Sequence, residues 1–326
     1  MHFIRRYAVL FSIACCYFAT LSITASAQDY PNRVVKFVVP FAPGGPSDIV
    51  ARILAQKLTE RFNQSFIIEN RPGGSANIGM VQVAKSPPDG YTILLVSSSF
   101  VINPALFANP GYDPYKDFAP LAMPVSSPNI LVAHPSLPAK TMKEFLALVK
   151  ANPGKYDYAS PGNGSGPHLS AELLILQGGG DIKHIPYNGG APAIQAVLGN
   201  QVALAFSALP PALPHINGQK LIPLAISSKS RFAALPAVPT IAESGFLDFE
   251  GDTQQFIMVP AGTPKTIIDL LNQEIIKIVN APDTKDKLSS LGYSLSSHTP
   301  EQTGALIKTE IAKWTRVVKA GNIKPD

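Results

Sequence analysis

The fold is decided by a stretch near the N-terminus, residues 34–62, which reads VVKFVVPFAPGGPSDIVARILAQKLTERF. Residues 34–39 are apolar apart from one lysine and are rich in valine, which is typical of a buried strand. Residues 47–62 carry apolar side chains at helical spacing on one face. Proline and glycine fill the segment between them, so the stretch predicts a strand, a tight turn and a helix.

The same order continues downstream. Residues 66–68 predict a second strand, residues 77–85 a short helix and residues 91–96 a third strand. A β-α-β-α-β order implies a mainly parallel sheet with helices on both faces. We therefore expect an α/β fold.

A second alternating block begins near Asn129, and the pattern changes again near Phe249. Strands are predicted at 130–133, 156–159, 184–187, 202–206, 221–226 and 256–259, and helices at 141–151, 167–177, 191–198, 264–279 and 300–319. This organisation predicts two lobes, residues 28–126 plus 250–326 and residues 127–249, with a ligand cleft between them. Ligands of such sheets bind beyond the carboxyl ends of the strands.

The first 27 residues have the pattern of a cleaved secretory signal peptide. Arg5 and Arg6 precede an uncharged apolar run from 7 to 23, which ends at the small residues Ala-Ser-Ala, 25–27. A retained membrane anchor is the alternative, but the run is near the lower length limit for spanning a bilayer. We expect cleavage and export of the mature protein.

Composition excludes several classes of function. Both cysteines, Cys15 and Cys16, lie in the predicted signal peptide, so the mature chain would have no disulfide or thiolate chemistry. Loss of Arg5 and Arg6 lowers the formal charge from +5 to +3. The sequence shows no basic cluster with aromatics and no dense grouping of metal ligands, so we expect no nucleic-acid partner, no metal and no cofactor.

Two glycine turns follow the first two predicted strands, at Gly44-Gly45 and at Gly73-Gly74. Glycine lets the backbone N–H groups point one way, and the helix N-terminus that follows adds partial positive charge. Either turn alone is equally well explained as an ordinary tight turn, but two in adjacent β-α units could converge on one anion. Neither turn has the lysine of a phosphate loop or the dinucleotide-binding spacing.

A third glycine-rich loop, residues 162–166, precedes a predicted helix in the second block. It is either a donor loop or an ordinary flexible turn. Nearby Ser160, Ser165 and His168 suggest a serine hydrolase as an alternative function. The chain lacks a nucleophile elbow and an evident base, and residues this close in sequence are poorly placed as a pair. We expect no catalytic residue, and a structural or ligand-orienting His168.

Several motifs occur in order along the whole mature chain: VPFAPGGPSD at 39–48, ENRPGG at 69–74, GYT at 90–92, YDP at 112–114, ASPGNGS at 159–165, PYNG at 186–189, PTIAE at 239–243 and PAGTP at 260–264. Together they resemble the tripartite tricarboxylate transporter substrate-binding proteins, also called the Bug family of receptors. The resemblance covers far more of the chain than any single motif.

The resemblance implies a type II periplasmic binding protein with two lobes that close on the ligand. The glycine turns would grip one carboxylate of a di-, tricarboxylate or aromatic acid. The second lobe would read the rest through loop 160–165, Tyr187 and the loop after Phe206. The loaded receptor would deliver its ligand to a membrane permease of two subunits, and we expect it to be a monomer and not an enzyme.

These considerations give one set of candidate ligand-binding residues. They are Phe41, Ala42, Pro43, Gly44, Gly45, Ser47, Asp48, Gly73, Gly74, Ser75, Ala76, Asn77, Ser99, Ser160, Gly162, Asn163, Gly164, Ser165, His168, Tyr187, Ser207 and Gln254. Asp48 has a second interpretation, as a simple helix cap, and Arg71 is expected to be structural. Because a φ above zero is expected at Gly45, valine there should weaken binding.

The chain departs from the family pattern in two places. Residues 252–256 read DTQQF where the family commonly has a tryptophan, an aromatic and a glycine, and Ala203 stands where an aspartate is frequent. Residues 207–211 are expected to form a proline-rich loop. These changes fall at the far end of the predicted pocket, so the ligand stays open. A sensor domain for a signalling partner stays open as an alternative to transport.

Overall fold

The structure is a computed structural model that describes residues 30–325; the predicted signal peptide lies outside the described residues. The strands are β1 (Val35–Val39), β2 (Phe66–Asn70), β3 (Thr92–Ser97), β4 (Phe118–Ser127), β5 (Asn129–Ala133), β6 (Tyr156–Ser160), β7 (Ile182–Pro186), β8 (Leu204–Ala208), β9 (Ile222–Ile226), β10 (Thr253–Pro260) and β11 (Ser294–Leu295). The helices are α1 (Pro46–Phe62), α2 (Asn77–Ala84), α3 (Ser99–Leu106), α4 (Met142–Ala151), α5 (Gly166–Leu176), α6 (Gly190–Leu198), α7 (Leu209–Asn217), α8 (Lys265–Asn280), α9 (Pro282–Ser290) and α10 (Pro300–Ala320).

The first sheet has six strands in the order β11-β4-β10-β3-β1-β2. The predicted parallel arrangement is confirmed where β1 pairs with β2 and β3. It is wrong for the other half of the sheet, since β10 runs antiparallel to both β3 and β4. No crossover helix links β10 to its neighbours in this sheet: the chain enters β10 from the second sheet, and antiparallel pairing needs no such crossover.

The second sheet has five strands in the order β7-β6-β8-β5-β9. Here β6 runs parallel to β7 and β8, whereas β5 runs antiparallel to β8 and β9. The carboxyl end of β6 leads into the third glycine-rich loop. Each sheet therefore contains both parallel and antiparallel strand pairs. In each sheet a glycine-rich turn follows a parallel strand.

Helices cover both faces of each sheet, as expected. On the first sheet, α2, α3 and α10 bury a core that includes Phe100, Phe256 and Trp314. Helices α1 and α8 pack together and against the strands on the opposite side. On the second sheet, α4 and α5 cover one core and α6 and α7 the other. This burial of apolar surface is the main stabilising contribution to the fold.

One helix belongs to the cores of both sheets. Leu169 of α5 is fully buried among first-sheet residues, while Ala171 and Leu174 are buried in a second-sheet core. The helix also packs directly against α10. Both sheets accordingly belong to one compact unit, which begins at Arg33.

A buried polar network ties together the segments that cross between the sheets. Asn129 donates from Nδ2 to Ser170 Oγ at 2.9 Å and accepts from Thr253 Oγ1 at 2.8 Å. Ser227 Oγ accepts from the Asn129 N–H at 2.8 Å and donates to Asp252 Oδ1 at 2.7 Å. Buried polar groups that are satisfied in this way give a unique local structure.

Asp252 gives this network a pH dependence. Burial raises the pKa of Asp252 from 3.8 to about 6, against the lowering effect of the Ser227 hydrogen bond. The folded protein therefore binds the proton more tightly than the unfolded chain. The resulting stabilisation is complete below the unfolded pKa and is lost as the pH rises through the folded pKa.

We expect Asp252→Asn to be more stable than the wild type at pH 7.5, by roughly 3 kcal/mol at most, because the amide stays neutral and can still accept from Ser227. The advantage should be about 1 kcal/mol at pH 4.5 and should approach zero only below pH 3.8. Thermal unfolding at the two pH values measures the difference. Asp286→Asn on the exposed side of α9 is the control, because it makes the same chemical change away from the buried network. If Asp252→Asn raised the stability equally at both pH values, the role given to Asp252 would be contradicted.

Candidate functional site

The first glycine turn joins β1 to α1, and its backbone corrects one expectation. Gly44 has φ +81°, whereas Gly45 is the extended residue before the helix, with φ −77° and ψ 170°. A Cβ at Gly45 would meet only the Ala42 carbonyl at 3.6 Å, an ordinary contact. The expectation that Gly45 needs a positive φ is therefore wrong, because the left-handed turn is made one residue earlier.

Asp48, in the first turn of α1, holds this turn in shape. Its Oδ2 accepts from the Gly44 N–H at 2.9 Å and from Arg52 Nε at 2.7 Å, and its Oδ1 accepts from Asn70 Nδ2 at 2.9 Å. Burial by itself raises the pKa of Asp48, but the hydrogen bonds from Arg52, Gly44 and Asn70 outweigh it and lower the pKa. Asp48 is 1 % exposed, so this geometry favours its structural interpretation over a ligand contact.

The second glycine turn has an unusual run of left-handed residues. Gly73, Gly74, Ser75 and Ala76 have φ values of 121°, 55°, 53° and 78°. Left-handed backbone is unfavourable for residues with a Cβ and persists where the surrounding structure enforces it. Here the enforcing group is Asn103 of α3, whose Nδ2 donates to the Ser75 carbonyl at 2.7 Å and to Asn77 Oδ1 at 2.8 Å.

The two turns are tied to each other. Asn70, the last residue of β2, donates from Nδ2 to the Phe41 carbonyl at 3.1 Å as well as to Asp48. Because β1 and β2 pair in parallel, their carboxyl ends place both turns at one edge of the sheet. Ala42, Pro43, Gly44, Gly73 and Gly74 are exposed there.

The helices that follow the two turns begin without a side-chain cap. Neither Gly45 before α1 nor Ala76 before α2 supplies a capping hydrogen bond. By contrast, Thr141 caps α4 and Thr299 caps α10. An uncapped N-terminus keeps N–H donors and partial positive charge available to an anion.

The cations next to the turns are already engaged. Arg52 pairs with Asp48, and Arg71 Nε lies 2.6 Å from Glu69 Oε1 with its side chain directed into solvent, 54 % exposed. Arg71 is thus structural, in line with the expectation. An anion at the two turns would be met mainly by neutral donors rather than by arginine.

Four polar side chains line the inner part of the same edge. Ser47 Oγ donates to Gln255 Oε1 at 2.7 Å, and Ser98 Oγ donates to Gln254 Oε1 at 2.7 Å. Both glutamines come from the start of β10, opposite the end of β3. The altered stretch 252–256 was expected at the far end of the predicted pocket, but its buried Gln255 lies beside the first glycine turn, through Ser47.

The third glycine-rich loop lies against the first-sheet helix α3. Ser99 Oγ donates to the Gly164 carbonyl at 3.1 Å. A Cβ at Gly164 would be 2.7 Å from Asn103 Oδ1, so only glycine allows this approach without a shift. The structure thereby brings together the second glycine turn, through Asn103, and loop 160–165.

Inside that loop the serines are occupied by local contacts. Ser165 caps α5, since its Oγ accepts from the His168 N–H at 3.3 Å and donates to the Gly162 carbonyl at 2.6 Å. Ser160 Oγ accepts from the Gly162 N–H at 3.1 Å and lies 2.6 Å from His184 Nε2. The expectation that Ser160 has no base nearby is therefore wrong; His184 comes from the neighbouring strand β7.

His168 is a buried neutral residue. Burial and the neighbouring His184, whose ring stacks on it at 4.1 Å, lower the pKa of His168 to about 3. Its Nδ1 accepts from the Gly164 N–H at 3.4 Å, so in the neutral ring the proton is on Nε2, 3.9 Å from Glu172 Oε1. His168 thus orients loop 160–165, which agrees with the non-catalytic interpretation.

The remaining predicted residues of the second sheet lie just beyond this loop. The Tyr187 N–H donates to the Ser160 carbonyl at 3.0 Å, and the Tyr187 side chain packs on the core under α6 and α7. Ser207 is fully buried at the end of β8 and donates to the Ala208 carbonyl at 3.0 Å. The expected proline-rich loop at 207–211 is wrong: α7 begins at Leu209, and Pro210 and Pro211 occupy its first turn, where an N–H is not needed.

Four buried side-chain atoms of residues 30–325 have no hydrogen-bond partner within the protein. They are Asn103 Oδ1, Ser127 Oγ, Asn163 Nδ2 and Gln255 Nε2. Asn103 and Gln255 lie at the first-sheet edge, and Asn163 belongs to the loop that faces it. Asn103 was not predicted from the sequence, and Gln255 was predicted only as part of the altered run 252–256.

Other features of residues 30–325 lie away from the turns. A cavity of about 630 Å³ is bounded by the loop after β9 and by Tyr293–Leu295 side chains, and neither glycine turn contributes to it. One of its lining residues contacts the start of α1, because Tyr293 Oη donates to the Pro46 carbonyl at 2.8 Å. In this range we find no cluster of three metal-ligating side chains and no helix suited in length and polarity to crossing a bilayer.

Comparisons with known proteins agree with the two-sheet α/β architecture. Residues 50–323 match the family model of the tripartite tricarboxylate transporter family receptor. The chain is 37 % identical to Protein BugT of Bordetella pertussis over 320 residues, which cover 97 % of this chain and 98 % of that protein. That family model describes receptors of tripartite tricarboxylate transporters.

Solved structures give the same result. Rpa4515 of R. palustris, solved with adipate, is 33 % identical and superposes with a TM-score of 0.88, covering 91 % of this chain and all of that one. MatC of Rhodopseudomonas palustris, solved with malate, is 31 % identical with a TM-score of 0.82, covering 89 % of this chain and all of that one. The fold is thus the mixed α/β fold of periplasmic binding proteins, and this chain belongs to the tripartite tricarboxylate transporter receptor family.

Proposed function

We propose that this protein is a periplasmic receptor that binds a small organic carboxylate in a cleft between two lobes. The first lobe comprises residues 28–126 and 250–326, and the second comprises residues 127–249. The membership of the strands supports this division, because β1–β4, β10 and β11 form one sheet and β5–β9 form the other.

The observation that carries the proposal is the pair of exposed glycine turns on adjacent parallel strands, each followed by a helix without a side-chain cap. Asn70 and Asp48 fix the two turns relative to each other. Donors that are held in place before binding recognise an anion without reorganisation, and hydrogen bonds to a charged group contribute roughly 1.5–3 kcal/mol each. A carboxylate suits this arrangement because it accepts several such bonds.

The second lobe supplies the other half of the site through loop 160–165 and its neighbours Tyr187 and Ser207. The hydrogen bond from Ser99 to Gly164 and the close approach of Gly164 to Asn103 support this placement. A ligand that touches both lobes would stabilise the closed arrangement over the open one. The backbone turns would hold a constant carboxylate, and the second-lobe groups would select the remainder of the molecule.

We further propose that the loaded receptor delivers its ligand to a two-subunit membrane permease, that residues 1–27 are removed on export, and that the protein acts as a monomer without catalysing a reaction. Family membership supports transport over a sensor role. Ser160 lies beside His184, but Ser160 is fully buried and its Oγ is engaged by the Gly162 N–H. A hydrolase would need that oxygen to face its substrate.

A ligand screen tests the proposal. We expect the purified protein to show a raised Tm with one or more of adipate, malate, other di- and tricarboxylates and aromatic acids, because binding to the folded state raises apparent stability. Titration calorimetry should then give one ligand per chain with no product formed on incubation. Binding of a sugar or a cation, with no response to any carboxylate, would overturn the proposal.

A further inference from the structure

Gln255 lies at the inner end of the proposed carboxylate site. In the register of the first sheet it pairs with Ser97 of β3 and Val125 of β4. Ser97 is the last residue of β3, so Gln255 lies at the carboxyl edge, the same edge that carries the turn between β1 and α1. It is fully buried.

The orientation of its side-chain amide is set by Ser47. Ser47, itself 3 % exposed in the first turn of α1, donates from Oγ to Gln255 Oε1 at 2.7 Å. With Oε1 engaged in this way, Nε2 points away from the serine hydroxyl, and this Nε2 has no acceptor within residues 30–325. A buried donor without an acceptor is unfavourable. Its presence therefore indicates an acceptor from outside the chain, such as a ligand or a bound water.

The first glycine turn and the start of α1 offer few free backbone N–H donors. The α1 N-terminus has no side-chain cap, Pro46 has no N–H, and the Gly44 N–H is already bonded to Asp48. The first turn therefore offers fewer free backbone donors than its glycines suggest. A side-chain amide that adds N–H groups at this place restores the number of donors that a carboxylate can accept.

We propose that Gln255 is a specificity-determining residue whose Nε2 donates to the ligand carboxylate held at the first glycine turn. The assignment rests on the proposed carboxylate-binding function and deepens it. Ser47 is then a positioning residue, because it acts only through the amide of Gln255. The ligand end recognised here is an ionised carboxylate, since both the amide N–H and the helix N-terminus favour an acceptor with negative charge.

Two substitutions separate this role from its alternatives. Gln255→Met keeps the approximate size and removes the amide, and Gln255→Glu replaces the donor with a carboxylate. Titration calorimetry with adipate and with malate should show an affinity about ten-fold or more weaker for Gln255→Met. Gln255→Glu should lose affinity further, because two like charges would face each other. Gln273→Glu, exposed on α8, is the charge control and should bind like the wild type.

A third variant covers the case in which Gln255→Met does not fold, as judged by its thermal unfolding. Ser47→Ala frees the amide to rotate and should weaken binding to a smaller extent than either change at Gln255. If Gln255→Met bound the ligands as tightly as the wild type, whether or not its Tm changed, Nε2 would be bonded to a structural water. That result would overturn the role of Gln255 but not the proposed carboxylate-binding function. If the wild type bound neither adipate nor malate at millimolar concentration while binding a sugar or a cation, the proposed function would fail together with it.

Discussion

Replacing Gly44 with valine is expected to weaken carboxylate binding by about 100-fold, the loss of one or two charge-assisted hydrogen bonds. Gly44 has φ +81°, and a Cβ there would meet nothing within 4 Å. The effect therefore comes from the backbone and not from crowding. A β-branched residue is strongly disfavoured at this φ, so the turn would change its path and its N–H groups would no longer converge. Titration calorimetry with the carboxylate found in the screen measures the loss.

Gly178 offers a matched control for this experiment. It has φ +97° in the connection between α5 and β7, and a Cβ there would also meet nothing within 4 Å. Gly178→Val should therefore impose a similar backbone strain and a similar loss of Tm without changing affinity. If Gly44→Val and Gly178→Val bound the carboxylate equally well, the site would not lie at the first glycine turn.

Asp48→Ala is expected to lower the free energy of unfolding by roughly 2–3 kcal/mol and to weaken binding as well. The substitution removes the acceptor of the Gly44 N–H and one of the two acceptors of the Asn70 amide, and each lost buried bond costs about 1 kcal/mol or more. The lowered pKa of Asp48 means that its contribution is present above pH 3.8 and is lost as the pH falls through the folded pKa. Denaturant unfolding should therefore show a smaller difference in the free energy of unfolding between the wild type and Asp48→Ala at pH 3 than at pH 7.

Arg52→Ala separates the ion pair from the turn contacts. The Arg52 side chain is 56 % exposed, so its pair with Asp48 should contribute less than about 1 kcal/mol. We expect Arg52→Ala to retain most of the stability and the binding. If Arg52→Ala lost as much stability and affinity as Asp48→Ala, Asp48 would act through its ion pair with Arg52 rather than through its contacts with the turn.

Much of the architecture was predictable because local patterns determine it. The strand, turn and helix of residues 34–62 follow from apolar runs with two different periods and from the glycines between them, and the structure confirms them. The sequence did not predict β4, in which Pro120 and Pro124 interrupt the pattern of a strand. It also did not predict α7, because prolines usually indicate a loop and here occupy the start of a helix.

The candidate site was predictable only where its groups are neighbours in the chain. The glycine turns carry their geometry in consecutive residues, although the positive φ fell on Gly44 instead of Gly45. Asn103 and Gln255 act on residues 28 and 208 positions away in sequence. Such pairings arise from tertiary packing, and no local spacing reveals them. The same holds for His184, which reaches Ser160 from the adjacent strand.

Helix α5 restricts how the molecule can move. Its Leu169 is buried with Phe256 and Trp314 of the first-sheet core, while Leu174 is buried under the second sheet. A separation that pulled the sheets straight apart would carry one of these leucines into water. A rotation about the axis of α5 would leave both in place. We therefore expect any movement of the proposed lobes to keep the contacts between α5 and α10 closed.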